Sequence, residues 1–182
     1  MALKFTRVAL VGKYQDAASA SAAQPARELM TEIGTFLQQQ GCQVSLEKRT
    51  AESTGLTQFQ TLDLSGIGRH CELCVVVGGD GTMLGVGREL ARHGTPLIGI
   101  NQGRLGFITD IPLGDYARLL PAMLAGAFED DHRALMQGWV MLDGAAATET
   151  QTMTVLVASP SCIGRMVELS VEVDGHFVAN YR

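Results

Sequence analysis

Apolar and polar positions fall into blocks along the chain, and the period of each block predicts its structure. Val8-Ala9-Leu10-Val11 is an unbroken apolar run between Arg7 and Gly12, and Arg7 to Gly12 reads as a first strand ending in a glycine. Cys42 to Glu47 alternates and predicts a second strand, Leu73 to Val77 a third and Pro96 to Ile100 a fourth. Between the first two, Leu29, Met30, Ile33, Phe36 and Leu37 recur at helical spacing in Ala26 to Gln40, with Pro25 at a first helical turn and Gly41 as the stop. Further helices are predicted over Thr82 to His93, stopped by Gly94, and over Tyr116 to Leu124, flanked by Pro112 and Gly126. Asp16 to Ala23 reads as a loop of small residues, and Thr50 to Gly68 is too weakly patterned to assign. Strands alternating with helices predict an α/β fold with a doubly wound parallel sheet.

Beyond Gly126 the period changes to that of β structure. Val167, Leu169, Val171 and Val173 alternate with polar residues, and Asp174-Gly175 joins them to His176 through Tyr181, a hairpin pattern. Leu135 to Leu142 and Met153 to Ala158 are candidate strands. These signals divide the chain into an α/β nucleotide-binding unit, 1–126, and the start of a β-rich unit, 127–182. The sequence stops at Arg182 with too few strands for an independently stable sheet, so the second unit is expected to be incomplete.

Composition narrows the function classes. The 182 residues suffice for one domain and part of another, and a net charge of −5 argues against a nucleic-acid-binding polycation. Met1 to Arg7 lacks the apolar core of a signal peptide, and no apolar run of roughly 18 residues predicts a membrane span. Cys42, Cys71, Cys74 and Cys162 are expected as reduced thiols in a cytoplasmic protein. His70-Cys71-Glu72-Leu73-Cys74 could suggest zinc, but a structural site takes four ligands and no second pair stands at a suitable spacing. Buried thiols are the expected outcome, and no protein metal ligands are assigned.

Candidate chemistry concentrates at Gly78-Gly79-Asp80-Gly81-Thr82, between a predicted strand and a predicted helix. Glycines let backbone N–H groups approach an anion, and a helix N-terminus adds positive dipole character, so this context suits phosphate. Asp80 would repel phosphate and needs another task, such as accepting a proton or holding a metal. The alternative is a plain turn. Asn101-Gln102-Gly103-Arg104-Leu105-Gly106-Phe107-Ile108-Thr109-Asp110 forms a second glycine-rich stretch at the same predicted sheet edge, again with an ordinary loop as the alternative. Lys13-Tyr14 follows the first strand at that edge, where open α/β sheets bind ligands. The P-loop fingerprint is absent, and Leu84 and Leu90 stand where a dinucleotide fingerprint needs glycine.

Gly78 to Thr82, followed by Asn101 to Phe107 and a β-rich tail, closely resembles the bacterial type of NAD kinase. The first motif alone is shared with phosphofructokinase-like and diacylglycerol-kinase-like enzymes; the second at this spacing is far more specific. The resemblance implies a Rossmann-like, phosphofructokinase-like first domain, and phosphorylation of the adenosine ribose 2′-hydroxyl of NAD by ATP or polyphosphate with a divalent metal such as magnesium. It also implies a homo-oligomer. Asp80 would accept the hydroxyl proton, and Gly78, Gly79, Gly81 and Thr82 would contact phosphate. Asn101, Phe107, Arg104, Arg165 and Arg182 match dinucleotide-site positions, the two last having solvated charges beside a hairpin as the alternative. Two departures stand out. Thr154-Val155 replaces an Asn-Glu or Asn-Asp pair, where a lost ligand contact costs ~1–3 kcal/mol, and the family's next glycine- and threonine-rich segments would follow Arg182. The resemblance therefore leaves three alternatives: a NAD kinase, a non-catalytic nucleotide-binding remnant, or a lipid or sugar kinase using the same loop.

Overall fold

The structure, a computed structural model, describes residues 2–13, 20–103, 106–109, 111–142, 145–152 and 169–181. Its main sheet holds six parallel strands: β1 (Arg7–Gly12), β2 (Gln43–Glu47), β3 (Gln60–Leu62), β4 (Leu73–Gly78), β5 (Leu97–Asn101) and β6 (Ile111–Pro112). Their spatial order is β3-β2-β1-β4-β5-β6. The chain winds outwards from β1 to β3 and then crosses back to lay β4 on the other side of β1. The connections leaving β1 and β4 diverge, which opens a crevice at their carboxyl ends.

Helices α1 (Ala20–Gln39), α2 (Lys48–Thr54), α3 (Leu64–His70), α4 (Asp80–Leu90) and α5 (Tyr116–Leu124) cover both faces. Val8 and Leu10 of β1 pack with Met30, Ile33 and Leu37 of α1 and with Leu120 and Leu124 of α5. Ala9 and Val11 point the other way, onto Ile67 of α3 and Met83, Val86 and Leu90 of α4. Burial on both faces explains why this strand reads as continuous apolar sequence, and a side chain such as Leu10, fully buried, contributes roughly 1.5–3 kcal/mol.

The doubly wound sheet is as expected, with local differences. α1 begins at Ala20, so residues 20–23 are helical rather than loop, and Pro25 lies inside the helix. Alanine has the highest helix propensity, and the apolar stripe fixes the helix from Leu29 onwards. Asp16 to Ser19 lie outside the described residues. The unassigned stretch from Thr50 to Gly68 contains most of α2, β3 and much of α3, each too short to show a period. Side-chain caps start these helices: Glu47 accepts from the amides of Arg49 and Thr50, and Asp63 from that of Gly66. At Gly41 the expected stop of α1 takes φ +97°, a left-handed conformation that favours glycine.

After α5 the described chain forms two separate two-stranded antiparallel sheets. One pairs β7 (Met136–Leu142) with β8 (Ala145–Thr152), and the other pairs β9 (Leu169–Val173) with β10 (His176–Tyr181). Asp174 and Gly175 both have positive φ, 53° and 77°, which matches the expected hairpin turn. The partner of β7 is β8 at Ala145–Thr152, a strand that the sequence reading did not assign; Met153 to Ala158 lie outside the described residues. Among the described residues no helix is long and apolar enough to cross a membrane.

Candidate functional site

The pairing of β4 with β5 sets Gly78 opposite Asn101, and the Gln102 amide donates to the Gly78 carbonyl at 3.1 Å. Both glycine-rich turns therefore leave neighbouring strands at one edge. The helix after the first turn starts at Asp80 rather than Thr82, because the amides of Thr82 and Met83 already donate to the Gly79 carbonyl at 3.0 and 3.1 Å. Gly79, at the N-cap, has no side chain to cap the helix.

Asp80 ties the turns together. Its Oδ2 accepts from the Phe107 amide at 2.8 Å. Its Oδ1 accepts from the amides of Ile108 and Thr109, each at 3.1 Å, and from Thr109 Oγ1 at 3.0 Å. Thr109 Oγ1 in turn accepts from Asn101 Nδ2 at 3.0 Å, while Asn101 Oδ1 accepts from the Gly103 amide at 2.8 Å. Asn101 and Thr109 are buried, and this network gives polar groups of both their partners.

Donors aimed at a carboxylate favour its charged form. The Phe107 amide does so most strongly, followed by that of Thr109, and the Asp80 pKa falls from 3.8 to about 2. Because the folded value lies below the ordinary one, the stabilisation is fully present above about pH 4 and is lost as pH falls through about 2.

The glycines of the site divide by what surrounds them. A Cβ on Gly106 would overlap the Asp80 carboxylate and the Thr109 hydroxyl, and one on Gly99 would come within 2.8 Å of Thr109 Cγ2. At Gly78 it would meet Thr82 Oγ1 at 2.8 Å. Gly79 and Gly81 are different: a Cβ there meets nothing within 4 Å among the described residues, so the space that these leave beside them is open.

Asp80, Gly78, Gly79, Gly81, Thr82, Asn101 and Phe107 thus come together at one sheet edge. Arg104, Arg165, Arg182, Thr154 and Val155 lie outside the described residues. Phe107 is 87% exposed, and the Arg133 guanidinium stands 6.0 Å from its ring centroid while pairing with Asp131. Sequence reasoning did not single out Thr109 or Arg133. Thr109 lies inside the second glycine-rich stretch, and its hydroxyl two residues after Phe107 was the available signal; Arg133, in a charged stretch, gave none. Burial raises the pKa of the Cys42, Cys71 and Cys74 thiols, and no group of three His, Cys, Asp or Glu converges among the described residues.

Residues 8–128 match the sequence family described as the ATP-NAD kinase N-terminal domain. The chain belongs to the NAD kinase family. It is 54% identical over 178 residues to an NAD kinase of Acidovorax sp. (strain JS42), covering 98% of this chain and 60% of that protein. An NAD kinase of Paracidovorax citrulli (strain AAC00-1) is 54% identical over 182 residues, covering all of this chain and 61% of that one. The chain therefore spans about three fifths of the length of these family members. Its fold is shared with yeast NADH kinase complexed with NADH, at a TM-score of 0.70 and 18% identity, over 96% of this chain and 54% of the other. An NAD kinase from Archaeoglobus fulgidus in complex with ATP superposes with a TM-score of 0.59 at 20% identity, over 96% of this chain and 57% of that chain.

Proposed function

We propose that the protein acts as an NAD kinase, transferring a phosphoryl group from ATP or polyphosphate to the adenosine ribose 2′-hydroxyl of NAD to give NADP. The observation that carries this reading is the Asp80 carboxylate, held by the second turn beside the open glycines of the first. Among the described residues Oδ1 takes three donors but Oδ2 one, so Oδ2 keeps acceptor capacity for a substrate hydroxyl. A group with a pKa of about 2 is ionised at neutral pH and is a weak base. That suits phosphoryl transfer, in which positioning and charge neutralisation outweigh proton abstraction.

In this reading Gly78, Gly79, Gly81 and Thr82 bring backbone and hydroxyl donors to phosphate at the uncapped start of α4. Asn101, Arg104, Phe107, Arg165 and Arg182 serve the dinucleotide, with the exposed Phe107 ring as a stacking surface. A divalent ion fits as one carried on the donor's phosphates, since no protein cluster of three ligands is present among the described residues and Asp80 Oδ1 is filled. Magnesium bound in that way supplies charge neutralisation. The same reading places the protein in the cytoplasm, divides it into units 1–126 and 127–182, and gives it a homo-oligomeric state.

The test is NADP formation by the purified protein with ATP, magnesium and NAD. Asp80→Asn keeps the size of the side chain but loses the charge, and is expected to lower kcat by about 10²–10⁴-fold. No NADP from the unaltered chain, or phosphorylation of a diacylglycerol or a fructose phosphate in preference to NAD, would sink the proposal.

A further inference from the structure

Gly12 at the end of β1 pairs with Val77, so Lys13 comes next to the level of Gly78, on strands about 4.8 Å apart. Lys13 is exposed, and its ammonium has no ion pair or hydrogen bond among the described residues. Together with Gly12, Thr50, Thr54 and Gln102 it lines a cavity of about 160 Å³, whose other wall is α1. That volume is below the roughly 300–1,000 Å³ of sites that enclose whole small molecules, so the crevice suits a phosphate group rather than a nucleoside.

The threonines of this cavity are already engaged. Thr50 Oγ1 accepts from the Gly12 amide at 3.0 Å and donates to Glu47 Oε2 at 2.9 Å, and Thr54 Oγ1 donates to the Thr50 carbonyl at 2.6 Å. Glu47, buried beneath them, also accepts from the amides of Arg49 and Thr50. The Lys13 ammonium and the side-chain amide of Gln102 are left, among the described lining residues, with unused donors. Phosphates beside Gly79 and Gly81 would lie close to the Asp80 charge, and a cation on the β1 side of Gly78 offsets that repulsion.

We propose that Lys13 binds the phosphate chain of the phosphoryl donor at the mouth of the crevice between β1 and β4, with the side-chain amide of Gln102 as a second donor. The proposal rests on the NAD kinase reading for the identity of the donor. A lysine ammonium is a compact charge on a long stem, suited to following phosphates as they shift along the turn.

Calorimetric titration of the purified protein with ATP, inorganic tripolyphosphate and adenosine, at low and moderate salt, tests it. Lys13→Met is expected to weaken ATP and tripolyphosphate binding about 10-fold or more, to leave adenosine binding unchanged, and to flatten the salt dependence. Lys13→Arg should restore most of the affinity. Arg118→Met removes a remote cation paired with Asp115 and should change nothing. Equal ATP affinity in the unaltered protein and Lys13→Met overturns the assignment and leaves the NAD kinase reading standing. An equal loss in Arg118→Met also overturns it, by pointing to general charge. If the unaltered protein binds neither ATP nor tripolyphosphate, both fail; if Lys13→Met alone loses ATP while the unaltered protein makes no NADP, Lys13 stands as a phosphate-chain ligand and the kinase reading, with ATP as its donor, fails.

Discussion

The turn after β4 and the turn after β5 lie side by side, and each depends on glycine for a different reason. In the β5 turn Gly106 is pressed against Asp80 and Thr109, so the missing Cβ serves contacts inside the protein. In the β4 turn Gly79 and Gly81 face open space, and nothing in the protein among the described residues accounts for the missing Cβ. Tight packing and a vacant approach are separate uses of one residue, and substitution should tell them apart.

Gly106→Ala should have the largest effect. The added methyl must displace a carboxylate that holds the turn, costing about 1–3 kcal/mol of unfolding free energy in urea denaturation and at least 10-fold in NADP formation. An unchanged midpoint and rate would break the contrast. Gly81→Ala should move stability the other way, up by as much as ~1 kcal/mol, because alanine is the better residue in the first turn of α4. ATP affinity should fall in the same variant, and a gain in both quantities would remove the case for a ligand beside Gly81. The smallest effect sharpens the role of Asp80: the amide resonances of Phe107, Ile108 and Thr109 should titrate together with a midpoint near 2, whereas a midpoint near 3.8 would disconnect them from the carboxylate.

Strands such as β1 and β4 were legible because burial on both faces demands unbroken apolar sequence. α2 and α3 were not, since each helix has seven residues and is defined more by the caps of Glu47 and Asp63 than by a stripe. β8 was not legible because the many alanines and threonines of Ala145–Thr152 gave no alternation to read. At the site, motif and spacing identified Asp80 and Asn101, but a sequence carries no sign of which hydroxyl will lie between them. That Thr109 links the two follows from the close approach permitted by Gly99 and from its burial.

One carboxylate spans both turns, and this has a mechanical consequence. The part of the edge proposed to carry the donor and the part proposed to receive the dinucleotide cannot drift independently, because each displacement of α4 pulls on the amides of Phe107 to Thr109. The two behave as a single jaw with a fixed gape. Variation elsewhere in the chain can tilt that jaw as a unit, while its internal alignment, the quantity on which the proposed in-line transfer would depend, is held by Asp80.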